Sequence, residues 1–156
     1  MGLSGVILKR KEDINIEQLI EDILTAAHRA GVPIIMNEKE FSKKDGRFKY
    51  VTFNLFDVEK DEEDNNMLMY LFNVSEEDYE EEFDWIRKEG KLIHIINMER
   101  FSLFEKMVLN FVYEYLCINQ DDIFWAEGDL FYDYNAIKTI KNRKFDESWW
   151  YKPVTP

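Results

Sequence analysis

Apolar and polar positions recur along this chain with two different periods, and the change of period marks the predicted elements. Residues 5–10, Gly-Val-Ile-Leu-Lys-Arg, contain a short apolar run at 6–8 and predict a strand. Apolar residues then recur at helical spacing over residues 16–27. Asn15 is placed to cap this helix with Gln18 completing a capping box, and Gly31 is placed to end it. The chain therefore opens with a strand and a capped helix.

Three further strands and a charged helix are predicted next. Residues 32–37, 48–58 and 66–74 are rich in β-branched and aromatic residues, and an Asp-Gly turn and an acidic loop separate them. Residues 74–91 begin with a Ser-x-x-Asp cap, carry carboxylates in the first turns and reach Gly90 near their end. This order of signals is typical of a helix.

The second long helix is predicted to be central in the fold. It covers residues 102–119, and Ser102 and Glu105 have the spacing of a capping box at its start. Its apolar positions form a stripe along one side, and further apolar residues widen that stripe. A helix that is apolar over so much of its circumference is expected to contact neighbours on more than one side.

The remaining elements complete the predicted domain. A strand over residues 91–96 precedes the central helix, and a hairpin turning at Glu127-Gly128, a short helix over 133–142 and an extended tail over 145–156 follow it. Apolar residues make up 46% of the chain and aromatic residues 15%, enough for a packed core. The element order predicts one α+β domain over residues 1–156, with a mixed, mainly antiparallel sheet flanked by helices. The pattern leaves the strand order open.

Negative charge is concentrated in one segment. Residues 57–89 hold fourteen acidic and three basic side chains, a net charge of −11, whereas the whole 156-residue chain has −12. Residues 1–56 carry a net +1 and residues 90–156 a net −2. So concentrated a field repels nucleic acid and anionic membranes and attracts basic proteins. We therefore expect a basic protein partner, and neither a nucleic acid nor a membrane.

The predicted acidic helix is the first candidate interaction surface. Its apolar residues Tyr79, Phe83 and Ile86 fall on one side, where they are expected to dock the helix onto the sheet. Like charges four residues apart destabilise a helix by a few tenths of a kcal/mol, and solubility needs a net charge of only about two to eight. A cationic partner therefore explains the excess charge better than solvation does. The candidate residues here are Glu77, Glu80, Glu81 and Asp84.

The aromatic-rich C-terminal segment, residues 122–151, is the second candidate surface. It holds nine aromatic residues among thirty, against 15% for the whole chain, with carboxylates between them. Some of these rings are needed for the core. The surplus rings beside acidic groups fit a hot spot for a basic protein, in which a rigid ring fills a pocket and the acid binds Lys or Arg. The candidate residues are Trp125, Glu127, Asp129, Asp133 and Tyr134.

Motifs for catalysis and for cofactor binding are missing from the sequence. It contains no P-loop, no G-x-S-x-G and no G-x-G-x-x-G. His28, His94 and Cys117 lack partners at metal-ligand spacing, so we expect no cofactor, no metal and no enzymatic activity. One alternative is a metal-dependent hydrolase that uses the carboxylates of Asp57–Asp64.

The overall character of the chain resembles one class of bacterial proteins. A single cysteine and an N-terminus without a signal-peptide pattern predict a cytoplasmic location. A small, acidic, aromatic-rich α+β protein without catalytic motifs resembles the immunity proteins of polymorphic and contact-dependent toxin systems, and "DDIFWAEGD" (121–129) and "FDESWWYKP" (145–153) add to the resemblance. It implies a non-catalytic, one-to-one inhibitor that occupies the active or substrate-binding surface of a basic, nuclease-like toxin. A phage-encoded DNA mimic is the other alternative.

Overall fold

An antiparallel sheet organises the chain in the computed structural model, which describes residues 4–60, 65–72, 92–126 and 130–151. Seven strands are described, in the spatial order β2-β3-β4-β5-β1-β6-β7. The strands are β1 Gly5–Arg10, β2 Ile34–Phe41, β3 Phe48–Phe56, β4 Asn66–Phe72, β5 Leu92–Met98, β6 Ile123–Trp125 and β7 Phe131–Tyr132. The helices are α1 Ile16–Ala30, α2 Glu105–Ile118 and α3 Tyr134–Lys141.

The α+β class predicted from the sequence is confirmed. Every pairing among the described strands is antiparallel, so these strands contain no parallel pair of the kind that a mixed sheet has. The first strand of the chain, β1, lies between β5 and β6. Because β1 joins strands that are distant in sequence, it holds the β2–β5 part and the β6–β7 part of the sheet together.

The two faces of the sheet are packed differently. We call the face that contacts the helices the inner face and the opposite one the outer face. Strand residues alternate between faces, and on β3 the inner residues Val51, Phe53 and Leu55 are fully buried in the main core. A smaller cluster occupies the outer face near β1, where Val6 and Leu8 are also buried. The chain thus buries apolar residues on both faces of β1.

The predicted central helix is confirmed, although its start was wrong. α2 contacts α1 on one side and α3 on the other. It begins at Glu105 with Phe104 in the N-cap position and without a side-chain cap, whereas residues 101–103 form a separate 3-10 turn. The capping box of Ser102 and Glu105 therefore does not start this helix. Phe104 is buried, and we infer that packing against the core sets the start of α2.

Of the capping box predicted for α1, the Asn15 cap is present and the reciprocal contact of the Gln18 side chain is not. The side chain of Asn15 accepts a hydrogen bond from the Gln18 backbone N–H at 3.1 Å, and Gly31 ends the helix with a left-handed φ of 71°. The Gln18 side chain does not complete the box. It donates instead to Asp22 at 2.9 Å, because Asp22 lies one turn further along the same helix.

The C-terminal tail departs from the predicted extended form. Residues 149–151 make a 3-10 turn, and Trp149 is buried. Its indole Nε1 donates to the backbone oxygen of Glu105 at 2.9 Å, and its ring lies 5.7 Å from that of Phe124. Burial of this one large ring explains why the tail turns back onto the domain.

Candidate partner-binding groove

Six of the nine predicted site residues fall outside the part of the chain that the structure describes. These predictions are neither supported nor contradicted and remain predictions. They concern the acidic helix and the turn of the C-terminal hairpin. The residues are Glu77, Glu80, Glu81, Asp84, Glu127 and Asp129.

Much of the aromatic-rich C-terminal segment belongs to the core. Phe124, Tyr132 and Trp149 are buried, and their ring centroids lie 5.7 to 6.4 Å apart. Trp125 is half-buried on the outer face, where it stacks on Phe131 at 5.5 Å. Three rings of the segment therefore form part of the packed interior.

The three predicted site residues that are described do not form one surface. Tyr134 stacks on Tyr113 of α2 at 6.4 Å and packs against the main core, whereas Trp125 belongs to the cluster on the outer face. Asp133 caps α3, since its Oδ1 accepts a hydrogen bond from the Ala136 backbone N–H at 2.8 Å. The structure thus separates Trp125 from Tyr134 and gives Asp133 a structural role.

A groove on the outer face of β2, β3 and β4 is a better candidate site. We call it the aromatic groove, and its volume is about 600 Å³. Tyr50, Tyr70 and Phe72 are its rings, and all three are half-buried. The full lining is Asn37, Glu38, Tyr50, Thr52, Leu68, Tyr70 and Phe72.

The register of the strands explains how the groove forms. Tyr50 lies opposite Phe72, and Thr52 lies opposite Tyr70, so their side chains share the outer face. On β2 there is one extra residue, because Met36 and Lys39 lie opposite Phe53 and Val51. Such a bulge redirects side chains. It brings Asn37 and Glu38, which are consecutive in sequence, to the same groove.

Hydrogen bonds hold the β2 wall of the groove in place. The Glu38 backbone N–H donates to Thr52 Oγ1 at 3.2 Å, and the Tyr50 hydroxyl donates to Glu38 Oε2 at 3.4 Å. Asn37 donates to Asn54, and Asn54 Nδ2 donates in turn to Asn66 Oδ1 at 2.8 Å. Three strands are therefore linked by polar side chains along the groove.

The groove is electronegative. The pKa of Tyr50 is raised chiefly by partial burial of its hydroxyl, and the neighbouring carboxylates of Glu40 and Glu38 raise it further. The pKa of Tyr70 is also raised chiefly by partial burial, and the negative charges of Glu99 and Glu38 raise it further. Among the described residues these three glutamates have no ion-pair partner. A cation that enters the groove would therefore meet aromatic faces and carboxylates that are not already neutralised.

His94 adjoins the groove but does not give it positive charge. Its ring lies 5.0 Å from that of Phe72, and its Nε2 is buried with no hydrogen-bond partner in the described part of the chain. Burial lowers the pKa of His94 to about 4, partly offset by a hydrogen bond with the Ile96 backbone. The imidazole is therefore neutral at pH 7.

A second cavity continues from the aromatic groove at Leu68. Its volume is about 320 Å³, and its charged lining residues are Glu99 and Arg100. Arg100 has a left-handed φ of 55°, which a non-glycine residue rarely adopts. The charges that line this cavity are therefore of both signs, whereas the aromatic groove is lined by one acidic residue, Glu38, and no basic one.

Sequence reasoning missed the groove, although a signal was present. On β4 the outer-face positions are Leu68, Tyr70 and Phe72, and the inner-face positions are apolar too. A strand with one solvated face normally carries polar residues at every second position. Three apolar or aromatic residues on the outer face of β4 therefore differ from the pattern of a solvated face, and this difference could be read from the sequence.

The alternative hydrolase site would use the carboxylates of residues 57–64. Those that lie in the described part of the chain make contacts that stabilise the local structure. Asp57 Oδ1 accepts a hydrogen bond from the Glu59 backbone N–H at 3.1 Å, and Glu59 lies 3.2 Å from Lys106. No group of three or more potential metal ligands occurs in the described residues. Residues 61–64 lie outside them.

Comparison of the chain with family models, with curated proteins and with solved structures finds no match. None of the helices in the described ranges has the length and apolar character needed to cross a membrane.

Proposed function

We propose that this protein is a non-catalytic inhibitor of the immunity type, which binds a basic, nuclease-like toxin domain one-to-one through the aromatic groove. The observation that carries the proposal is the combination of Tyr50 and Tyr70 on the outer face with Glu38 and Glu40, which have no ion-pair partner among the described residues. The inhibitor acts by occupying the active or substrate-binding surface of its partner, so it needs no catalytic group of its own.

The chemistry of the groove suits a Lys or Arg side chain. A cation over a tyrosine ring gains about 0.5 to 2 kcal/mol, depending on how far it is desolvated. Glu38 can add a charge-assisted hydrogen bond at the same site. An Arg is favoured over a Lys, since its planar guanidinium stacks on a ring and binds a carboxylate at the same time.

The charge distribution along the chain supports the same partner. β4 lies within residues 57–89, which carry a net charge of −11. Charge of one sign around a binding surface raises the association rate with an oppositely charged protein, and added salt reduces this effect. Carboxylates would then occupy the positions that nucleic-acid phosphates take on the toxin.

The test compares two variants with the same change in net charge. Tagged wild-type protein, Glu38→Lys and the control Glu21→Lys, which alters an exposed residue on α1, are used to capture partners from native lysate, and the partner is then purified. We expect a 1:1 complex that Glu38→Lys weakens at least about tenfold and Glu21→Lys weakens much less.

Two outcomes would contradict the proposal. One is the absence of any basic protein that stays bound at moderate salt. The other is an equal loss of affinity in both variants, since this would indicate non-specific attraction instead of a groove. The activity of the captured protein separates a toxin inhibitor from a phage DNA mimic, because a mimic would bind a DNA-binding protein without toxin activity.

A further inference from the structure

The strand β2 lies at an edge of the sheet that the described strands form. β3 is its neighbour in the sheet, and no further strand among the described residues pairs with β2. Every residue from Ile35 to Phe41 is exposed. An edge strand presents unpaired backbone N–H and C=O groups that can template a further strand. At eight residues, β2 is longer than the five or six residues that are typical of strands.

Exposed apolar side chains accompany this open edge. Ile35 is 53% exposed, Met36 45% and Phe41 52%, so three of the seven large exposed hydrophobic residues in the described ranges lie on β2. Phe41 contacts Phe48 edge-to-face at 6.1 Å and has the Lys39 ammonium 5.6 Å from its ring centre. An apolar patch beside unpaired backbone groups is typical of a binding surface.

We propose that β2 accepts an extended segment of a basic protein as an eighth strand of the sheet. This inference rests on the proposed function and specifies how the partner approaches the aromatic groove. A strand added to β2 lies about 4.8 Å from it. Since Asn37 and Glu38 line the groove, side chains of the added strand on the outer face would reach the groove directly.

The two sides of β2 define the sequence of the added strand. Glu38 and Glu40 lie on the outer face, where both influence the pKa of Tyr50. Met36 and Phe41 lie towards the inner face, as their opposite residues Phe53 and Phe48 pack with the main core. Ile35 lies opposite Asn54 on the outer face and Lys39 lies opposite Val51 on the inner face, so neither face is uniform. Glu38 and Glu40 nevertheless favour cationic residues on the outer face of an added strand, and because strand side chains alternate between faces, the residues between them lie on the inner face, where apolar ones suit Met36 and Phe41.

A second copy of this chain fits the same edge poorly. A two-fold axis perpendicular to the sheet would pair β2 with the β2 strand of the copy in antiparallel fashion. Each side chain then stays on its own face of the sheet, so residues opposite each other lie on the same face. A pairing centred on Glu38 would place Glu38 beside Glu38 of the copy, and one centred on Lys39 would pair the two lysines. Like charges directly opposite each other destabilise a strand pair. The charges on β2 therefore disfavour these two registers of self-association, whereas a cationic strand meets Glu38 and Glu40 with opposite charge.

Synthetic peptides test the proposal directly. The first probe is an eight-residue peptide of alternating Val and Lys, and its control is the isomer with four Val followed by four Lys. Two further versions carry N-methyl groups on alternate residues, each blocking one hydrogen-bonding edge. Binding is measured by fluorescence anisotropy, and hydrogen exchange reports protection of the amides of residues 35–41.

We expect the alternating peptide to bind at least about tenfold more tightly than its isomer, since the isomer retains charge attraction without the alternation. It should slow exchange within β2. The N-methylated version that keeps the hydrogen-bonding edge facing β2 should bind like the parent peptide, and the version that blocks this edge should not bind. The double variant Glu38→Lys/Glu40→Lys should lose binding, whereas the control Glu21→Lys/Glu147→Lys, at two exposed residues, should retain most of it.

Three results would overturn this inference. They are equal binding of the two isomers, binding without protection of β2, and a dimer of the protein itself in which β2 is already protected. If β2 fails these tests while Tyr70→Ala still weakens the natural complex, the groove proposal stands without strand addition. If no basic partner exists but the alternating peptide binds β2, the edge site stands and the proposed function fails.

Discussion

The aromatic groove and the C-terminal segment 122–151 are built from the same kinds of residue and differ in how those residues are packed. Both combine aromatic rings with carboxylates. In the C-terminal segment the rings of Phe124, Tyr132 and Trp149 are buried, whereas the rings of the groove are half-buried on the face opposite the three described helices. Composition therefore does not distinguish a half-buried groove from a core; position relative to the described helices does.

The carboxylates of the two regions differ in the same way. Asp122 lies 3.2 Å from the Lys9 ammonium and accepts a hydrogen bond from the Tyr115 hydroxyl at 2.7 Å, with both partners buried. Asp133 caps α3. Glu38 in the groove has a 3.4 Å contact with Tyr50 and no ion pair among the described residues. Carboxylates that stabilise the fold are already neutralised or hydrogen-bonded, and those of the groove remain accessible to a cation.

Replacing one ring in each region is the strongest test of this difference. We expect Phe124→Ala to lower the free energy of unfolding by about 3 to 5 kcal/mol, because it leaves a cavity in the core. Tyr70→Ala removes a half-buried ring and should cost about 1 kcal/mol. Urea denaturation measures both. Equal losses would mean that the groove ring is packed as tightly as the core.

Removing the carboxylate of Asp122 should have an effect of similar size. Asp122→Ala leaves the Lys9 charge buried without its counter-ion, which typically costs about 3 to 5 kcal/mol. The double variant Lys9→Met/Asp122→Leu should recover much of this loss, because it removes both charges. Chemical denaturation of the two variants and of the wild type provides the measurement. A double variant as unstable as the single one would show that the pair itself supplies the stability.

Acidification should weaken the fold through His94. Its pKa is about 4 in the folded protein and 6.5 when unperturbed, so between these values the unfolded chain binds more protons. Stability is therefore lost as the pH falls from 6.5 towards 4, by up to about 3 kcal/mol. We expect the His94→Gln variant to lack this pH-dependent loss of stability. The measurement is the melting temperature of wild type and variant as a function of pH. Parallel profiles would contradict the buried, neutral imidazole.

The helix cap at Asp133 should give the smallest effect. Asp133→Ala removes the acceptor for the Ala136 N–H and should cost about 1 kcal/mol, whereas Asp133→Asn should cost less because Asn also caps helices well. Thermal denaturation measures the stability change. If Asp133→Ala leaves stability unchanged but weakens partner binding, Asp133 belongs to the interaction surface predicted from the sequence and not to the fold.

Local structure was largely predictable from the sequence. Asn15 and Gly31 mark the ends of α1 as expected, and Asp133 caps the predicted short helix. These signals act within a few residues, so they can be read without knowledge of the fold. The start of α2 and the buried turn at Trp149 were predicted wrongly, because contacts with distant residues decide both.

The candidate site could not be predicted in the same way. The sequence by itself determined the α+β class and an acidic, aromatic composition that suits a cationic partner. The tertiary structure alone decided that β1 lies between β5 and β6 and that β2 lies at an edge of the described sheet, with its outer face beside Tyr50 and Tyr70. Strand order and the choice of covered face depend on long-range pairing, whereas local periodicity reports only which residues share a face.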